Sequence, residues 1–330
     1  MGTRITRALA ISLFALFAAC SVRCIAESGL DAARAAFNRG HADDALHAID
    51  GALQQNPGDA AAWNLQCRVF LSQGRADDAI SSCERAVQIA PSSSDYHVWL
   101  GRAYGEKARH SRAVTAFKVA KHVHSEFETA ALLDGHNREA LSDLGQYYVE
   151  APAVIGGGDA KALQVALRLD SLDPVRAEEL RASVAEKKRD YPAAEQDWRA
   201  RIGASQSSPE AAAQAWMDLG SFYRRRGRWD EMLAALQSGA AADTNHGPAL
   251  VDGASTLIEA GREPKLAEQW LREYLDGNGL NDTAPAFAVH VELGDLLKKE
   301  GDKQAADLQF AYARALSSIY AKPEKISTGD

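Results

Sequence analysis

Small apolar side chains recur along this chain at a step of 34 residues. Ala33, Cys67 and Gly101 form one series, and Gly40 and Gly74, Ala45 and Ala79, Ala52 and Ala86, and Pro57 and Pro91 repeat at the same interval. Ala79 and Ala86 step on to Ala113 and Ala120, and a late copy keeps the internal spacing with Gly294, Gly301, Ala306, Phe310 and Ala313. Bulkier apolar residues stand around the small ones: Trp63 and Phe70 in the second copy, and Leu100, Tyr104 and Phe117 in the third. Two helices approach closely only where the contact points lack bulk and larger neighbours fill the remaining space. The pattern therefore predicts a series of antiparallel helix pairs, with the fixed period deciding the fold. Gly40, Gly74, Gly227, Gly261 and Gly301 fall between the helices of their pairs, where a left-handed residue ends the first helix. Pro57, Pro91 and Pro174 follow the second helix, where a missing N–H does no harm.

Four stretches sharpen this into a family likeness. They are Trp63-x-x-Gln66-Cys67-x-x-Phe70 with Gly74, Ala79, Ala86 and Pro91; Leu100-Gly101-x-x-Tyr104 with Ala113, Phe117 and Ala120; Trp216-x-x-Leu219-Gly220-x-x-Tyr223 with Gly227; and the 294–313 copy. In these the chain resembles the tetratricopeptide repeat family. The resemblance implies an all-α, right-handed superhelical solenoid of about eight antiparallel helix pairs. Units begin near Glu27, Ala60, Ser94, Asn137, Val175, Ala213, His246 and Phe287, and the fifth carries Arg189 at its turn. It also implies a non-catalytic scaffold that binds a protein or peptide in its concave groove, stabilised by nearest-neighbour stacking, with terminal units that fray first. Two departures mark the middle. The second helix of the third unit runs about ten residues long beyond Ala120, and five extra residues fall in 150–158, a stretch similar to an inter-helix loop of some exported bacterial members. The expected organisation is units one to three and the first helix of unit four over 27–149, the insertion loop 150–158, the remaining units over 159–320 and a flexible tail at 321–330.

The first 26 residues have a different character. Arg4 and Arg7 precede a 12-residue apolar run, Ala8–Ala19, and the first acid is Glu27. This is the layout of a secretory signal peptide. Cleavage after Ala26 would follow Cys24-Ile25-Ala26 and give a periplasmic or secreted protein. The alternative uses Phe17-Ala18-Ala19-Cys20 and makes an outer-membrane lipoprotein anchored through Cys20, in which Phe17 stands where Leu is usual. Cleavage after Ala26 leaves Cys67 and Cys83, an even number suited to an oxidising compartment. The net charge of −8 becomes −11 once Arg4, Arg7 and Arg23 leave. Such acidity excludes nucleic acid as the main partner, because phosphate binding is driven by Lys and Arg.

Candidate chemistry is sparse. Arg34, Arg68 and Arg102 follow the small contact residue of three successive first helices and would raise a column of guanidinium groups along the groove. Arg forks pair bidentately with carboxylates, so the column suits an acidic or C-terminal segment of a partner. Cys67 and Cys83 face each other within one helix pair, as a disulfide or as two buried thiols. Gly156–Gly158 before Asp159 lacks the Gly-Lys-Ser/Thr ending of a phosphate loop, and Asp159 is expected to cap the following helix. His122 and His124 diverge by roughly 200° on a helix and cannot share a metal. No metal, cofactor or catalytic constellation is expected. The alternatives to an envelope scaffold are a lipid-anchored outer-membrane assembly factor and an enzyme with a dispersed site in the groove.

Overall fold

A computed structural model describes residues 29–321; residues 1–28, with the expected signal peptide and Cys20 and Cys24, and residues 322–330 lie outside the described residues. Within them the chain forms sixteen α-helices in eight antiparallel pairs and no strand. The first four pairs are α1 (29–38) with α2 (Ala42–Gln55), α3 (Ala60–Ser72) with α4 (Ala76–Ile89), α5 (Ser94–Arg109) with α6 (Ala113–Leu133), and α7 (Arg138–Glu150) with α8 (Asp159–Leu169). The rest are α9 (Pro174–Lys187) with α10 (Tyr191–Ala204), α11 (Pro209–Arg225) with α12 (Trp229–Ala242), α13 (Pro248–Ala260) with α14 (Pro264–Asp276), and α15 (Ala286–Glu300) with α16 (Lys303–Leu316). A one-turn 3-10 helix, Ser318–Ala321, ends the described chain.

The local signals work as chemistry. Asp59, Ser93, Asn137, Asp173, Asp190, Ser208 and Asp302 cap their helices by accepting hydrogen bonds from first-turn N–H groups. Inside the pairs, Gly40, Gly74, Gly227, Gly261 and Gly301 hold φ between +65° and +93°, and Arg189 takes the same place at φ +62°. Between units a second device repeats: the Trp63 indole Nε1 donates to Pro57 O at 2.9 Å, and His97 Nε2 lies 3.1 Å from Pro91 O, so one first-helix side chain ties each proline turn to the next unit.

The third pair is built differently from its sequence pattern. In three other pairs the contact partner lies sixteen residues on: Cys67 faces Cys83, Gly220 faces Leu236 and Gly294 faces Phe310. Gly101 meets the Phe127 ring instead, ten residues beyond Phe117, and a Cβ on Gly101 would fall 2.5 Å from that ring. Ala113 and Phe117 are therefore exposed, while Val123, Phe127 and Ala130 fill the interface. The additional residues of this pair, which lengthen the end of α5 (16 residues against 13 in α3) and the start of α6 (21 against 14 in α4), thus precede the packed segment of α6 rather than follow it. The 150–158 loop covers this segment: His124 stacks on Tyr147 (5.0 Å), Tyr147 Oη donates to Ile155 O at 2.6 Å, and Gly158 N–H donates to Tyr148 O at 2.9 Å. Asp159 makes no cap; Gly158 occupies the cap position and Asp159 pairs with Lys187 at 2.9 Å.

The two ends of the array meet. Phe287 of α15 is fully buried among Ala33, Phe37, Ile49 and Val69, with Leu316 and Tyr320 beside it. Ser318 N–H donates to the Asp43 carboxylate at 2.7 Å, and the buried Gln73 Nε2 donates to the buried Ser317 Oγ at 3.0 Å. The turn at Gly40 leaves no room for a Cβ, which would lie 2.7 Å from Ala286 N. Eight pairs therefore close on themselves, and each end of the solenoid caps the other.

Candidate functional site: the inner wall

Among the odd-numbered helices α3 packs on α5, α5 on α7, α7 on α9 and α11 on α13, and the first helices of the pairs line the inner wall. The residue after each small contact position belongs to this wall. In order these are Arg34, Arg68, Arg102, Gln146, Ser183, Ser221, Ser255 and Asp295.

The structure brings the three arginines together. The Arg68 and Arg102 guanidinium carbons lie 4.6 and 4.5 Å from the centroid of Trp99, which both cover. Arg34 is exposed beside them. Burial, then the charge of Arg34, press the Arg68 guanidinium below its ordinary pKa, with Arg102 acting the same way and Glu139 opposing. Two of the three already hold carboxylates of this chain. Arg102 Nε donates to Asp143 at 2.7 Å, with Glu139 at 3.4 Å, and Arg68 is paired with Asp282.

The remaining wall is acidic. Asp143, Glu179, Asp218, Asp252 and Glu292 project from α7, α9, α11, α13 and α15. Arg201, 6% exposed, reaches between Glu179 (3.3 Å) and Asp218. Burial pushes the Glu179, Asp252 and Glu292 carboxyls up; Arg201, Gln214 and Ser255 respectively pull them back, and neighbouring acids add to the rise. Sequence reasoning missed this arc, although its signal is present: four of the five acids stand two residues before the small contact residue, as Asp143–Gly145, Asp218–Gly220, Asp252–Ala254 and Glu292–Gly294. A hollow of about 670 Å³ opens on this wall at Glu179, Ser183, Lys187, Trp198 and Arg225.

Cys67 and Cys83 lie within one pair at bonding distance, with Cα atoms 5.3 Å apart. Among the described residues no group of three or more His, Cys, Asp or Glu converges to hold a metal, and no helix is long and apolar enough to cross a membrane.

Residues 30–94 and 215–247 each match a family model described as tetratricopeptide repeat. Among curated proteins none matches this chain. Similar solved structures include the MamA protein (18% identity, TM-score 0.42, covering 55% of this chain and 92% of that one). They also include a thermophilic tetratricopeptide repeat protein of Thermus thermophilus (19%, 0.47, 63% and 99%) and a tetratricopeptide repeat protein from Parabacteroides merdae (13%, 0.45, 90% and 99%). Two segments of this chain thus match tetratricopeptide repeat models, and the serial helix pairs around them form an all-α solenoid.

Proposed function

We propose that this protein is a non-catalytic scaffold of the bacterial cell envelope that holds a partner polypeptide against its inner wall. The observation that carries this reading is the division of that wall. One sector offers Arg34, Arg68, Trp99 and Arg102; the other offers Asp218, Asp252 and Glu292. A segment with a carboxylate-bearing end and cationic side chains further along would meet opposite charge in both sectors, which gives binding its direction. Carboxylates whose ionisation burial opposes gain most from a cation that arrives with the partner.

The compartment rests on the amino-terminal signal pattern and on the Cys67–Cys83 contact, which suits an oxidising space. A mature chain beginning at Glu27 is the expected product; incorporation of labelled fatty acid at Cys20 would instead make it a lipoprotein.

Site-specific photo-crosslinking in the native envelope tests the reading. A benzophenone side chain at Trp99, on the inner wall, should capture a partner, and the same group at Leu167, 67% exposed on α8, should not. Equal capture from both positions, or none from Trp99, removes the inner-wall site.

A further inference from the structure

The connection between α14 and α15 is out of proportion to its neighbours. Six other inter-unit connections take four or five residues, from 56–59 to 243–247, whereas this one takes nine, 277–285. It is nonetheless firmly held. Tyr274 Oη donates to Ala284 O at 2.6 Å and accepts from Asn281 N–H at 3.2 Å. The Asn281 side-chain oxygen accepts from Thr283 N–H at 2.9 Å and from Thr283 Oγ1 at 2.6 Å. Gly279 lies so close to the 245–247 backbone that a Cβ there would fall 2.6 Å from His246 O.

What this pinned loop presents is Asp282. Its carboxylate crosses from the last inter-unit turn to α3 and pairs with Arg68, 214 residues away in sequence. The side chain of Asp282 is 16% exposed and that of Arg68 30%, so the pair is largely withdrawn from water. Arg68 is the middle member of the guanidinium column and is stacked on Trp99.

We propose that Asp282 is a built-in stand-in for the partner's carboxylate, and that the 277–285 loop is an autoinhibitory latch. This rests on the reading that the Arg34–Arg68–Arg102 column takes a carboxylate of a polypeptide partner. A partner carboxylate reaching Arg68 must displace Asp282, and Asp282 is also one of the polar ties across the closure, holding the loop that leads into the last unit against the second. Carboxylate binding and loosening of the closure are therefore one linked equilibrium, in which the ligand favours the unlatched state. The exchange creates no new buried charge, since one carboxylate replaces another. An incoming acidic segment can engage Arg34 as well, which gives it an advantage over the single Asp282 contact.

The test uses the full mature chain and a fluorescein-labelled tetraglutamate peptide with a free carboxyl terminus, read by anisotropy. Asp282→Asn should bind the peptide about tenfold more tightly than the native protein, the scale of one charge-assisted hydrogen bond removed from competition. Asp282→Glu, which keeps the charge, should bind like the native protein. Amide exchange over 29–38 should rise in Asp282→Asn alone, and in the native protein when peptide is added. If Asp282→Asn binds no more tightly while Arg68→Glu abolishes binding, the latch is wrong and the column stands. If neither the native protein nor Asp282→Asn binds, or Arg68→Glu with Arg102→Glu binds unchanged, the column fails and takes the latch with it.

Discussion

Cys67 shows how one repeat position serves two ends. At the corresponding place other units carry Ala33, Gly101 or Gly294, because a larger side chain would strike the second helix. Cysteine is small enough to fit and adds a covalent tie to Cys83, sixteen residues on. Closing a loop of this size contributes about 3 kcal/mol, so reduction should lower the urea midpoint, and Cys67→Ser with Cys83→Ser should match the reduced protein; an unchanged midpoint would show that the tie is not formed. His97 carries a second duty of this kind. Its hydrogen bond to Glu126 (2.6 Å) raises its pKa, burial opposes the rise, and the contact with Pro91 O adds to it. A raised histidine pKa contributes stability that is complete below about pH 6.5 and is lost as pH climbs through the folded value. The melting temperature of the native protein should therefore fall more steeply above pH 6.5 than that of His97→Gln.

At the scale of elements, the third pair separates what a repeat pattern can tell from what it cannot. Period and small-residue identity locate helices, turns and caps, since each depends on residues within a few positions. They do not fix the register of two helices when one carries an insertion. Ala113, Phe117 and Ala120 keep the interval of the repeat, yet Phe127 fills the groove at Gly101, because the lengthened end of α5 and start of α6 bring it to the contact level. Phe127→Ala should therefore cost about 3–5 kcal/mol, while Phe117→Ala, at a side chain 40% exposed, should stay within about 0.5 kcal/mol; the reverse order in denaturant titrations would restore the register of the repeat. The same limit applies to the inner wall. The arginine column was legible because a fixed step carries it over three helices. The carboxylate arc was not, because Glu179 breaks the spacing and acids abound on every helix surface. The ion pairs that occupy Arg68 and Arg102 join units by tertiary contact, which no local pattern announces.

For the whole molecule the closure changes how stability is shared. A linear solenoid is a chain of nearest-neighbour couplings, so damage at one end stays there and terminal units fray first. Here the final unit buries Phe287 in the core of the first, and Gln73–Ser317 and Ser318–Asp43 span the same junction, so neither end is free. The eight couplings become a loop, in which weakening one junction exposes two ends at once. Phe287→Ala removes a fully buried ring and should cost about 3–5 kcal/mol. Its signature is where the loss appears. Hydrogen exchange should rise in α1 and α2, at the far end of the sequence, as well as in α15 and α16, while α9–α12 opposite the junction stay protected. A rise confined to α13–α16 would mean that the array behaves as an open ribbon, with α1 held by α2 and α3 alone.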